Sequence, residues 1–323
     1  MKNAEIIATI ESARIANLDV AEKAKGYASQ SRSPATLRAY ASDWTHFMRW
    51  CQEHGATPLP ATPGNVAGYV ADLASSAKVA TIRRRLTTIA QAHLAAGFDS
   101  PTITAPVKAV LKGILREKGS AQVRKAPATT DIVRAMVETL GAADPASVRN
   151  RALILIGFAG AFRRSEVAGI ERQDVAFVPE GAKITLRHSK TDQGGKGVIV
   201  GIPFGSHLET CPVRALTTWL QESGIESGPI FPAVDRHGNI KSEALTGKSI
   251  AEIIKKVTED AGLDPEIYSG HSLRAGLVTS AALADVPEWQ IMRQSRHKSQ
   301  ATMQKYVRVA SIFKKNAAGN VGL

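Results

Sequence analysis

The stretch Arg116-Glu-Lys-Gly-Ser-Ala-Gln-Val-Arg-Lys-Ala-Pro-Ala-Thr-Thr130 constrains the fold of this chain more than any other segment. It is polar and basic, Gly119 and Pro127 interrupt it, and nothing in it is expected to pack a core. Single hydrophobic cores rarely grow past about 250–300 residues, so a 323-residue chain broken at this point is expected to fold as two bodies. The boundaries that follow are an N-terminal helical extension over 1–30, a helical domain over 31–118, a linker over 119–130, a larger domain over 131–310 and a tail over 311–323.

The first body reads as helical throughout. Ser33-Pro34 is a helix start, a cap residue followed by proline at the first helical position. Leu37, Tyr40, Trp44, Phe47 or Met48, and Cys51 then recur at helical spacing, which predicts one buried stripe ending at Gly55. Pro58, Pro60 and Pro63 form a stiff connection before a second helix over Asn65–Ala74. A third helix is expected over Val79–Ala96, burying Ile82, Leu86, Ile89 and Leu94 while Arg83, Arg84 and Arg85 fan across its exposed arc; a fourth follows over Pro106–Leu115. Residues 4–24 read as a polar, Ala-rich amphipathic helix.

In the second body, Thr130-Asp131 is expected to cap a helix, and further helices are expected over Arg151–Ala159 and Arg163–Ile170. Residues 182–187 and 198–202 are short and β-rich, with a Gly-rich hairpin loop from Ser189 to Gly197 between them. From Cys211 to Phe313 the pattern is again mostly helical. The fold class is mainly α: an N-terminal helical domain, then an α-rich domain with a small antiparallel β-sheet.

Forty-one Lys and Arg against 29 Asp and Glu leave a formal net charge of +12, which favours a polyanionic partner. No apolar run is long enough to cross a bilayer, and the N-terminus lacks a basic stretch followed by an apolar core, so a soluble intracellular protein is expected. The two cysteines, Cys51 and Cys211, form no Cys-x-x-Cys pair, and neither a zinc site nor a disulfide framework is expected.

Three clusters carry chemistry. Gly160-Ala-Phe-Arg163-Arg164-Ser165-Glu166 enters a helix after an apolar one, Lys190 lies on the hairpin loop, and His271-x-x-Arg274, His297 and Tyr306 follow, with Tyr306 nine residues after His297. A tyrosine hydroxyl near two histidines and an arginine can attack phosphorus, with cationic donors ready for the developing charge. Alone each residue has an ordinary structural explanation; their shared order and spacing do not.

In that order and spacing the chain closely resembles the tyrosine recombinases, the phage integrase family, over roughly Ser31 to Phe313. The resemblance implies a SAM-like core-binding domain before the catalytic domain, in a simple Cre-like or Xer-like layout without a separate arm-binding domain. It implies that Arg163 and Arg274 clamp the nonbridging oxygens of the scissile phosphate and that Lys190 protonates the departing 5′-hydroxyl. His271 would accept the tyrosine proton or donate to the phosphate, His297 would be a further donor, and Tyr306 the nucleophile. Arg32, Arg38, Lys78, Arg83 and Arg84 are the candidate DNA-binding residues of the first domain. The implied partner is double-stranded DNA with an inverted-repeat site, bound by a homodimer, with a homotetramer at synapsis and the tail docked on a neighbouring subunit. The implied setting is a bacterial or phage-encoded protein of the cytoplasm, associated with the nucleoid.

A tyrosyl phosphodiester conserves the bond energy, so no metal, cofactor or ATP is expected, consistent with a sequence lacking a Walker-type glycine loop and an acidic metal cluster. Departures are local. The family usually carries Leu-Gly before the third-box histidine, where this chain has Ser295-Arg296; Lys196 shares the loop with Lys190; and Arg164 adjoins Arg163. Two rivals stay open: a DNA-binding regulator with an inactive recombinase fold, and a topoisomerase IB-like or telomere-resolving enzyme.

Overall fold

The computed structural model describes residues 32–119, 125–187 and 197–301, together with Lys23, Tyr27, Met303, Gln304 and Tyr306. The helix expected over 4–24, nearly all of the expected 1–30 extension, the hairpin segment with Lys190 and Lys196, and the 311–323 tail lie outside the described residues. The chain divides into two compact units, Met1–Gln122 and Val123–Leu323. Among the described residues no helix is long and apolar enough to cross a membrane.

Unit one has four helices among its described residues. Helix α1 spans Pro34–Glu53, and the Ser33 hydroxyl caps it by accepting from the Thr36 amide at 3.3 Å. It buries Trp44, Phe47 and Cys51; Met48 is exposed, so the stripe resolves onto Phe47. The chain leaves α1 through His54 and Gly55, whose φ of +59° suits a residue without a side chain. Helix α2 spans Pro63–Ser76, α3 spans Val79–Ala95 and α4 spans Ala105–Lys118. They close over Trp44, Phe47, Tyr69, Ile82, Ile89 and their neighbours as one core.

Two expectations for α3 need correction. Leu94 is 54% exposed, and the buried place falls to His93, four residues after Ile89 and so nearly in line with it on the helix. His93 donates from Nδ1 to the Ile89 carbonyl and accepts the Ala61 amide at Nε2, both at 2.8 Å, which satisfies the ring as a neutral group inside the core. Arg85 does not fan outward. It folds against His46 and lies 3.6 Å from the buried Asp43, because that carboxylate on α1 needs cations from α3.

In unit two the expectation that nothing between 116 and 130 packs a core is also corrected. The Ala126 amide donates to the Ile267 carbonyl at 2.7 Å, the Ala128 amide donates to the Ser272 carbonyl at 2.9 Å, and Ala128 is fully buried in the second core. Helix α5, Thr130–Glu138, takes Thr129 rather than Thr130 as its cap. Helix α6, Pro145–Ala159, is capped by Asp144 and buries an unbroken run from Ala152 to Gly157, so it is the central helix of the unit. Short α7, Arg164–Ala168, follows.

Strands β1, Val175–Val178, β2, Gly181–Leu186, and β3, Val198–Pro203, form an antiparallel sheet in the order β1-β2-β3. Ile184 pairs with Val175 on one side and Val200 on the other, and all three are buried against the core. Helix α8, Pro212–Ser223, packs on α6; strands β4, Pro232–Val234, and β5, Ile240–Ala244, form a second antiparallel pair. Helices α9, Gly247–Asp260, α10, Ser272–Leu283, and α11, Glu288–Ser295, complete the unit. The sequence reading lacked β1, β4 and β5, each of three to five residues and too short for alternation to register.

Candidate active site

The site is assembled at three places where unit two changes direction. The first is the turn after α6. Ala161 adopts a φ of +45°, and Gly160 leaves room for the Phe162 ring, which would otherwise lie 2.2 Å from a Cβ. The turn delivers Arg163 to the start of α7, where its amide donates to Glu166 Oε2 at 2.9 Å and its Nη1 to Oε1 at 2.5 Å. Glu166 is 4% exposed. Burial alone would raise its carboxyl, but the Arg163 amide and the Arg296 charge outweigh that and hold it below the usual carboxylate range.

The second place is the start of α10. The Ser272 hydroxyl accepts the Ser269 amide at 3.0 Å and the Ser272 amide donates to the Ser269 carbonyl at 2.8 Å, a closed turn that fixes His271 as the residue capping the helix start. Arg274, one turn on, faces inward and is 1% exposed. Its Nη1 donates to the Ala161 carbonyl at 2.8 Å, while Nη2 is buried with no hydrogen-bond partner. Burial, then the charges of Arg163 and Arg296, lower its pKa to about 10, so it stays cationic at neutral pH.

The third place is the end of α11. Ser295 donates its hydroxyl proton to the Ile291 carbonyl at 2.6 Å, and His297 Nδ1 lies 2.7 Å from the Ser295 Oγ. A hydroxyl has one proton, so His297 donates from Nδ1 and its Nε2 carries the lone pair when the ring is neutral. Burial and the neighbouring cations lower the His297 pKa to about 4.

Met303 is fully buried against Val278 and Ile291 and anchors the segment bearing Tyr306. The Tyr306 hydroxyl lies 2.9 Å from His271 Nε2, and its ring centre is 6.0 Å from that of His297. Five of the six candidate catalytic residues, Arg163, His271, Arg274, His297 and Tyr306, therefore gather in one place; Lys190 lies outside the described residues. An open cleft of about 380 Å³ reaches two of them, Arg163 and His271, and is lined as well by Arg164, Ser165, Ser269 and Gly270. Arg164 packs its stem against Gly270 rather than joining Glu166, so the glutamate-linked arginine is Arg163.

The residue that sequence reasoning missed is Arg296. Its side chain, 8% exposed, reaches Glu166 and the turn after α6. The one signal in the sequence was its place beside His297, where the resemblance led to glycine.

The candidate DNA-binding residues of unit one divide. Arg38, Lys78 and Arg83 are exposed; Arg32 stacks over the Tyr40 ring at 5.1 Å and bonds Gln91; Arg84 pairs with buried Asp43 at 2.8 Å.

Residues 128–311 match the phage integrase family, and residues 27–94 match the phage integrase N-terminal SAM-like domain. The chain belongs to the phage integrase family, the tyrosine recombinases. An integrase/recombinase XerD homolog from Selenomonas ruminantium is 42% identical over 321 residues, covering 98% of this chain and 94% of that one. A tyrosine recombinase XerD from Bifidobacterium longum is 25% identical over 285 residues, covering 85% and 87%. Two solved structures share the fold: the XerH site-specific recombinase bound to palindromic difH substrate in a post-cleavage complex (TM-score 0.61, 15% identity, 97% of this chain and 91% of that one), and a lambda integrase tetramer bound to a Holliday junction (TM-score 0.60, 18% identity, 87% and 74%).

Proposed function

We propose that this chain is a site-specific recombinase that cuts and rejoins duplex DNA through a 3′-phosphotyrosine at Tyr306. The observation that carries the reading is the Tyr306 hydroxyl 2.9 Å from His271 Nε2, beside a buried Arg274 whose Nη2 lacks an acceptor. A buried guanidinium N–H without a partner is costly, and a phosphate oxygen is the acceptor that suits it.

In the cleavage step the Tyr306 oxygen attacks phosphorus as His271 takes its proton. The P–O bond to the 5′ oxygen breaks, and that oxygen leaves as a hydroxyl with a proton from Lys190. Arg163 and Arg274 hold the nonbridging oxygens, whose negative charge is greatest in the pentacoordinate transition state. His297, neutral with its Nδ1 hydrogen engaged, donates from Nε2 only once protonated, a change that the approaching phosphate charge favours. Rejoining reverses these transfers with a different 5′-hydroxyl. No net hydrolysis occurs and no nucleotide is consumed.

Arg38, Lys78 and Arg83, exposed on or next to helices α1 and α3, supply phosphate contacts on the duplex, while Arg32 and Arg84 serve the packing of the unit through Tyr40, Gln91 and Asp43. A dimer on an inverted-repeat site and a tetramer at a Holliday junction complete the reading, and a bacterial cytoplasm or nucleoid is its natural setting. The test is strand exchange between two duplexes that share one site but differ in flanking sequence. Recombinant flanks and a junction intermediate are expected. Binding without covalent chemistry would mean an inactive regulator, and relaxation of supercoils without exchange would mean a topoisomerase-like enzyme.

A further inference from the structure

Arg296 occupies a backbone conformation that favours glycine, φ +57° and ψ +37°, yet its side chain is buried and both its terminal nitrogens are engaged. Nη1 donates to the Gly160 and Gln294 carbonyls, each at 2.9 Å. Nη2 donates to the Ala161 carbonyl at 3.1 Å and to Glu166 Oε2 at 3.0 Å, and the guanidinium lies 5.0 Å over the Phe162 ring. Nε is buried without a hydrogen-bond partner, and every acceptor of the two terminal nitrogens belongs to the protein, so neither of those nitrogens holds a substrate.

Two of those acceptors are shared with the residues that do. The Ala161 carbonyl also accepts Arg274 Nη1, and the Glu166 carboxylate also accepts the amide and Nη1 of Arg163. We infer that Arg296 is a positioning residue for strand cleavage, joining Glu166 and the turn after α6 into one frame that aims Arg163 and Arg274. The inference rests on the recombinase reading above. Its electrostatic content is specific. Glu166 alone would draw the Arg163 charge onto itself; with Arg296 as a second counter-cation, more of that charge is available for the phosphate. Because this advantage grows as charge builds in the transition state, loss of Arg296 should act on cleavage rate more than on DNA affinity.

The test uses the full chain and nicked duplexes selected by covalent capture on it from a randomised pool. Single-turnover cleavage and duplex affinity are measured for the parent, Arg296→Gly, Arg296→Lys, Glu166→Gln and the Arg296→Gly/Glu166→Gln double variant. Arg296→Gly relieves the backbone, so a role confined to turn shape predicts cleavage as fast as the parent or faster. The positioning role predicts cleavage slowed roughly ten- to a hundred-fold at near-constant affinity, with partial recovery in Arg296→Lys. It also predicts a double variant no slower than the slower single one, since both act on one frame. Parent-like cleavage by Arg296→Gly, or losses that multiply in the double variant, would overturn the inference and leave the recombinase reading intact. Failure of the parent chain to form any adduct would overturn both.

Discussion

His297 is held neutral by burial first, and then by the charges of Arg274, Arg163 and His271 around it. Its folded pKa of about 4 lies below the ordinary 6.5, so between those values the unfolded chain binds the extra proton. Its contribution to stability is complete above pH 6.5, falls as the pH drops toward 4, and is lost below. In denaturant melts the parent should therefore lose stability relative to His297→Gln as the pH falls from 6.5 toward about 4, the difference staying constant below that; parallel pH curves would contradict the assignment. The catalytic candidates at this scale were named because their order and spacing resemble the tyrosine recombinase motifs. Arg296 was not legible as a functional group. A sequence shows an arginine where glycine is usual, but not the left-handed backbone and four hydrogen bonds that give the substitution meaning.

Helix α10 carries Arg274 and has His271 at its N-cap, and its seating depends on Gly276. A Cβ there would meet the Ala128 carbonyl oxygen at 1.7 Å, backbone against backbone, so neither side can swing away. Gly276→Ala should cost about 1–3 kcal/mol through overpacking and lower the Tm by several degrees. Gly113→Ala, in the interior of α4 with open space around the new methyl, should instead add about 0.5–1 kcal/mol of stability. Thermal melts of the two variants check the contrast, and equal effects would contradict it. The helices were readable from apolar periodicity and proline starts. The segment 125–129 was not, because Ala126 and Ala128 look like filler in a polar stretch until the Ile267 carbonyl that holds the one and the glycine facing the other are seen.

Over the whole molecule, a charge of +12 is a property any basic protein could have, and the structure separates the arginines that have an internal task from those that do not. Arg83 is exposed, whereas Arg84 neutralises Asp43, whose side chain is 2% exposed. Arg83→Ala should reduce the slope of log affinity against log salt by about one and leave the Tm unchanged. Arg84→Ala should lower the Tm, since it leaves a buried carboxylate short of a partner. Fluorescence anisotropy across a salt series, with melts in parallel, distinguishes the two; identical behaviour would contradict this division. The two-unit organisation was legible from a break in apolar patterning, while the partition of charge required knowing where Asp43 lies.

The central claim is that Tyr306 takes the DNA strand. The direct measurement is to trap the adduct on a nicked duplex, digest it, and locate the nucleotide by tandem mass spectrometry. The account predicts a 3′-phosphate esterified to the Tyr306 oxygen and no adduct from Tyr306→Phe, which should still bind the duplex. A nucleotide on any other residue, a 5′-phosphate linkage, or an adduct that survives Tyr306→Phe would contradict it.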